Sequence, residues 1–289
     1  MSVEPNNQQF IIQRTASLEI VMEKMNEYRK KSAFYREEAD RKERAGLLEE
    51  ARQRWHLAAN SNLSALKQAE SYDRFDEFKG EAGEWKVRSG STVSDKERLF
   101  VRTYCDTLGR QGGLYRRLGC LKSAQKYYQM GQRIEQIGDA WDFQSSYCTM
   151  SCISIQIETR QASASLQSNM TPGIQDEISR ARKMVEFQIV KGTRGSDAWA
   201  KADFALVILL TSSTKIPDKI VKGLYQQYTS KAESNDIEST RRILKSIKIS
   251  LKKMGDPVAD QIKWGIDALQ EAASNAKKRL RGDANADVT

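Results

Sequence analysis

The chain carries one spaced set of small and aromatic residues twice. Gly46, Ala51, Trp55 and Ala58 form the first set. Gly119, Ala124, Tyr128 and Gly131 form the second, each 73 residues after its counterpart. A second small-plus-aromatic group precedes each set: Tyr35 and Ala39 before the first, Gly112 and Tyr115 before the second. Small residues let two helices approach closely, and a large ring fills the groove beside them. A glycine between the two groups ends one helix and starts its antiparallel neighbour. The pattern predicts helix-turn-helix repeats, an architecture that binds and organises partners more often than it carries out chemistry.

Composition fits such an array. Of 289 residues, 39% are hydrophobic and 29% charged, which is low in apolar content for a globule but normal for a solenoid with much surface. A formal net charge of +9 and a pI of about 9.3 favour acidic partners. The first ten residues, MSVEPNNQQF, hold no basic-then-apolar signal. The longest apolar run, 204–210, is too short to span a bilayer. Cys105, Cys120, Cys148 and Cys152 make no disulfide framework in a chain of this length. A reducing, cytoplasmic setting without a membrane partner is expected.

Residues 1–12 read as a flexible N-terminus and 13–281 as one helical repeat domain. Apolar periodicity predicts helices over 14–44 and 47–79. A loop near 80–93 follows, carrying Gly80, Gly83 and the Ser89, Gly90, Ser91 run. Ser94 with Glu97 is a capping box that opens a helix to Leu118, and 121–137 pairs with it. Asp139 begins a helix rich in Trp141, Phe143, Tyr147 and isoleucines, and its partner starts at Thr171 and Pro172. Asp197 opens the most apolar helix, containing 205–210. Less regular helices over 218–232, 237–254 and 257–280 occupy 215–281, and 282–289 reads as a disordered tail. No stretch alternates like a strand. The expected fold is all-α, with about ten helices in antiparallel hairpins stacked as a solenoid.

At the second set, Gly112, Tyr115, Gly119, Ala124, Tyr128 and Gly131 fall where the tetratricopeptide repeat places its signature residues. At the first, Ala39, Gly46, Ala51, Trp55 and Ala58 match, while Lys42 replaces the mid-helix aromatic. The chain thus resembles the tetratricopeptide repeat superfamily, most strongly over 30–140. The segment 180–210 resembles bacterial tetratricopeptide-like modules of stress and conflict systems. These are similar to the helical regulatory region of apoptosis signal-regulating kinases. Arg194, Gly195, Asp197, Trp199, Ala202 and Asp203 stand in the matching places. This second resemblance implies a sensor of a ligand such as a nucleotide derivative, or a scaffold for a signalling partner, with the effector a separate protein or absent.

Catalytic and metal chemistry find little support. His56, the single histidine, follows Trp55 on a helix with no nucleophile on a strained turn nearby. Cys148 and Cys152, at i and i+4, lack the further ligands of a structural zinc site and read as buried apolar residues. The Gly109, Arg110, Gln111, Gly112, Gly113 run lacks the Gly-Lys-Ser/Thr ending of a phosphate loop. No catalytic residue, cofactor or metal is expected.

Two binding surfaces remain. Tyr104, Arg116 and Arg117 are expected on the groove side of one repeat helix, where arginines can hold a phosphate or carboxylate with paired N–H donors. The inward positions Arg36, Asp40, Arg44, Asp106 and Gly113 depart from the Lys and Asn clamp of chaperone-tail receptors. Alternatively, Arg241, Lys245, Lys248 and Lys252 line one stripe of a C-terminal helix, beside an apolar face of Ile243, Leu244, Ile247 and Leu251. That stripe suits nucleic acid or another polyanion, without interleaved aromatics for base stacking.

Overall fold

The computed structural model describes residues 17–78, 85, 93–138, 143–160, 172–211 and 218–286. Among them are eleven helices and no strand, the all-α class expected. The N-terminal segment 1–12, most of the 80–93 loop, Asp139, Trp141 and Thr171 lie outside the described residues. The chain forms two compact units that divide at Cys120, inside the second repeated set.

The first unit contains α1 (Leu18–Arg44), α2 (Leu48–Glu70), α3 (Phe75–Phe78) and α4 (Asp95–Arg117). Gly46 closes α1 with φ of +77°. Its amide donates to the Glu43 carbonyl at 3.1 Å, and the Leu47 amide donates to that of Lys42 at 2.9 Å. These are the two bonds of a Schellman motif, and a Cβ disfavours the left-handed φ they require. Gly119 ends α4 with the same φ and the same pair of bonds, to Arg116 and Tyr115. The 73-residue repeat thus recurs as backbone geometry.

Cross-helix contacts fix the direction of each helix. Lys42 with Glu50, Glu38 with Arg54, and the Ser32 hydroxyl with the Ala58 carbonyl nest about the Gly46 turn, so α2 runs antiparallel to α1. Three ion pairs join α1 to α4 at a constant separation of 77 residues: Glu19–Lys96, Arg29–Asp106 and Asp40–Arg117. A constant difference, rather than a constant sum, means that α4 runs parallel to α1. Between them Ala39, Trp55, Ala58, Ala59 and Leu114 form one buried cluster, with Tyr35 and Leu118 against it.

Helix α2 stops at Glu70 rather than continuing toward residue 79. The Ser71 hydroxyl donates to the Gln68 carbonyl at 2.7 Å and accepts from Gln68 Nε2 at 2.9 Å, a local alternative to the helical ladder. The chain turns there, and α3 becomes an additional one-turn helix. Helix α4 opens as expected: Glu97 N donates to Ser94 Oγ at 3.3 Å, and Ser94 N donates to Glu97 Oε2 at 2.9 Å.

The second unit contains α5 (Leu121–Glu135), α6 (Tyr147–Arg160), α7 (Pro172–Val190), α8 (Ala198–Thr211), α9 (Asp218–Thr229), α10 (Ser234–Lys253) and α11 (Val258–Ala286). Helix α8 packs against α7, α9 and α11, and residues 205–210 are all buried. A helix that is apolar on every side belongs in an interior. Pro172 is the first residue of α7, while α6 begins at Tyr147 rather than Asp139. Helix α11 runs through Gly282, where the disordered tail was expected, to Ala286.

On α5, Ala124, Tyr128 and Gly131 are buried, and the Tyr128 ring meets that of Tyr147 edge-on at 6.0 Å. Ala124 is fully enclosed. Ala124→Leu should therefore overpack this contact and lower stability by about 1–3 kcal/mol, measured by urea unfolding.

Candidate functional site

Arg117, the last residue of α4, is the best-defined member of the expected groove. Its Nη2 lies 3.2 Å from Asp40 Oδ1 and its Nη1 3.4 Å from Glu43 Oε2, both on α1. The guanidinium carbon sits 4.8 Å from the centroid of the Trp55 ring, a cation–π stack. Further along the same face, Arg29 pairs with Asp106, which Arg110 also reaches at 3.1 Å. Burial pulls the Arg29 guanidinium below its ordinary range, and Asp106 opposes that shift. The α1–α4 face is therefore a row of matched, part-exposed charges.

Tyr104 does not join Arg116 and Arg117. Twelve residues of helix separate Tyr104 from Arg116, about 18 Å along the axis at 1.5 Å per residue. The Tyr104 ring is 1% exposed. It packs against Phe75 at 5.3 Å and Trp85 at 5.4 Å, and its hydroxyl donates to Glu70 Oε1 at 3.3 Å. Arg116 is half-buried next to Arg117. The Gly109–Gly113 run lies inside α4, with Gly109 and Gly112 buried, so it forms no phosphate-binding loop.

The C-terminal stripe is real as a face of α10. Leu244, Ile247 and Leu251 are buried, whereas Lys245 and Lys252 are exposed and Lys248 is half-buried. Arg241 differs from the lysines. Its Nε and Nη2 donate to the two Glu238 oxygens at 2.7 and 2.8 Å, so one acid neutralises that end of the stripe. His56 is exposed on α2, and Cys148 and Cys152 are buried in α6, where burial pushes the Cys152 thiol up.

A third cluster surrounds Arg194, in the loop between α7 and α8. Arg194 is 8% exposed. Its Nε donates to Asp197 Oδ2 at 2.7 Å, and its Nη1 donates to Ser146 Oγ at 2.6 Å and Gln188 Oε1 at 2.8 Å. The Ser146 hydroxyl in turn donates to Asp203 on α8. Asp197 also caps α8, accepting from the Trp199 amide at 2.9 Å.

Glu135, at the end of α5, anchors the start of α6 next to this cluster. Its carboxylate accepts from the Ser145 hydroxyl, the Cys148 amide, and the amide and hydroxyl of Thr149, all at 2.6–2.9 Å. An acid on the free amides of a helix N-terminus explains why α6 starts where it does. The sequence motif around 194–203 therefore marks a built cluster. Its partners Ser146 and Gln188, and the neighbouring Glu135, were missed because each reads alone as an ordinary polar residue.

No protein-family model matches the chain, and comparison with curated proteins and with solved structures finds no match either.

Proposed function

We propose that the chain acts by binding rather than by catalysis. It is a tetratricopeptide-like scaffold or ligand sensor in a bacterial stress or defence signalling pathway, and an effector or signalling protein is its partner. The observation that carries this reading is the register of the first unit. Helix α2 runs antiparallel to α1 and α4 runs parallel to α1, with repeated small residues buried and repeated glycines at the turns. The α1–α4 face suits exchange of partners. Part-exposed ion pairs contribute about 0–1 kcal/mol each, so an incoming carboxylate or phosphate can replace Asp40 and Glu43 around Arg117 at small cost. No described helix is long and apolar enough to cross a membrane.

The second reading is a polyanion-binding helix, favoured by the exposure of Lys245 and Lys252 on a helix whose apolar face is docked. Thermal-shift measurements with a nucleotide panel, alongside salt titrations with labelled single-stranded DNA, separate the two. The sensor reading expects a nucleotide-induced shift that Arg117→Ala abolishes. Replacing Lys245, Lys248 and Lys252 with glutamine should leave that shift unchanged. The reverse pattern would favour the ridge. In that case each lost phosphate contact flattens the slope of log affinity against log salt by about 0.7–0.9.

A further inference from the structure

Helix α10 turns outward a different set of residues from the stripe its sequence suggests. Leu244, Ile247 and Leu251 are at most 1% exposed, and they form the inner side of a helix that packs against α6 and α11. The opposite side carries Arg242, Lys245, Lys252 and Lys253, all exposed, around Ile249, which is 54% exposed. The four cations stand at i−7, i−4, i+3 and i+4 from Ile249, so they share its face over about 16 Å of helix. Arg241 and Lys248, members of the sequence stripe, are half-buried.

The charge on this face is nearly unopposed. Residues 239–255 contain no acid. Glu238 is engaged by Arg241 and Arg242. Among the described residues, Lys245, Lys248, Lys252 and Lys253 have no ion pair. The face therefore combines unpaired lysines with one apolar side chain at their centre.

We propose that this face is a peripheral membrane contact, which lies against an anionic lipid surface with its lysines at the headgroups and Ile249 at the edge of the acyl layer. The proposal rests on the second reading, that α10 meets a polyanion, and it names the polyanion. Three features select lipid. Base stacking needs exposed rings, and α10 contains no aromatic residue. A docked partner helix needs apolar anchors on successive turns, whereas Ile249 is the one exposed large apolar residue of α10. A nucleic-acid backbone satisfies the lysines but gives Ile249 nothing to pack against. A lipid interface accepts both kinds of group at once, with lysine stems along the apolar boundary and ammonium groups at the phosphates. The short apolar runs that argue against a membrane partner argue against a span, and a surface contact requires none. No described helix is long and apolar enough to cross a bilayer.

Co-sedimentation of the full-length protein with vesicles tests this. Vesicles of mixed phosphatidylcholine and phosphatidylserine should bind it, and vesicles of phosphatidylcholine alone should not. Each lysine at an anionic surface strengthens binding by about fivefold, so glutamine at Lys245, Lys252 and Lys253 together should weaken it by about a hundredfold. Ile249→Asn should weaken vesicle binding by about tenfold and leave binding of labelled DNA unchanged. All four positions are exposed, so both variants should keep the urea midpoint of the unaltered protein. Binding of DNA without binding of the anionic vesicles would overturn the lipid assignment and leave the polyanion reading standing. Binding of neither would overturn both. Equal binding of the two vesicle types, or anionic-vesicle binding that survives Ile249→Asn or the three glutamines undiminished, would also overturn the proposal.

Discussion

Arg194→Ala should destabilise the second unit by about 3–5 kcal/mol, read as a lower urea midpoint with an unchanged slope. The side chain is almost wholly buried and serves three partners from three segments. Truncation leaves Asp197, Ser146 and Gln188 facing an empty space, and the acids Asp197 and Asp203 without their cation. An uncompensated buried polar group costs more than its hydrogen bond contributed. Arg194→Lys separates charge from shape. It retains the cation but not the planar fork that serves Nε and Nη1 partners at once, so its cost should fall between zero and that of alanine. A loss below about 1 kcal/mol for Arg194→Ala would mean that the cluster is solvated and holds nothing in place.

Local signals in the sequence mapped well onto local structure. The Ser94–Glu97 box, Pro172 and the repeated Gly46 and Gly119 set helix ends because each acts within five residues of itself. The apolar 205–210 run became a wholly buried stretch of α8 for the same local reason. Interactions between segments were harder to read. The α1–α4 ion pairs stand 77 residues apart, one helical turn beyond the 73-residue spacing of the small residues, and only the parallel direction of the two helices reveals them. Glu135 reads as one more helical charge until α6 is seen to begin on its carboxylate. Tyr104 was misplaced because the one-turn helix Phe75–Phe78 and Trp85, which close over it, lay in stretches read as the end of a long helix and a loop.

The correction at Tyr104 has a sharp consequence. Tyr104→Ala should cost the first unit about 3–5 kcal/mol, the range for deleting a fully buried ring. It would remove the common neighbour of Phe75, Trp85 and Phe100, whose centroids lie 5.3, 5.4 and 6.5 Å away. Tyr104→Phe keeps every one of those ring contacts and removes the 3.3 Å hydrogen bond to Glu70, so its cost should stay near or below about 1 kcal/mol. The same pair of variants bears on binding. A closed ring cannot stack on a ligand in the α1–α4 groove, so Tyr104→Phe should leave a nucleotide-induced thermal shift intact while Arg117→Ala removes it. Loss of that shift in a Tyr104→Phe protein of normal stability would mean that the phenol reaches the ligand, and that the aromatic cluster opens when the ligand binds.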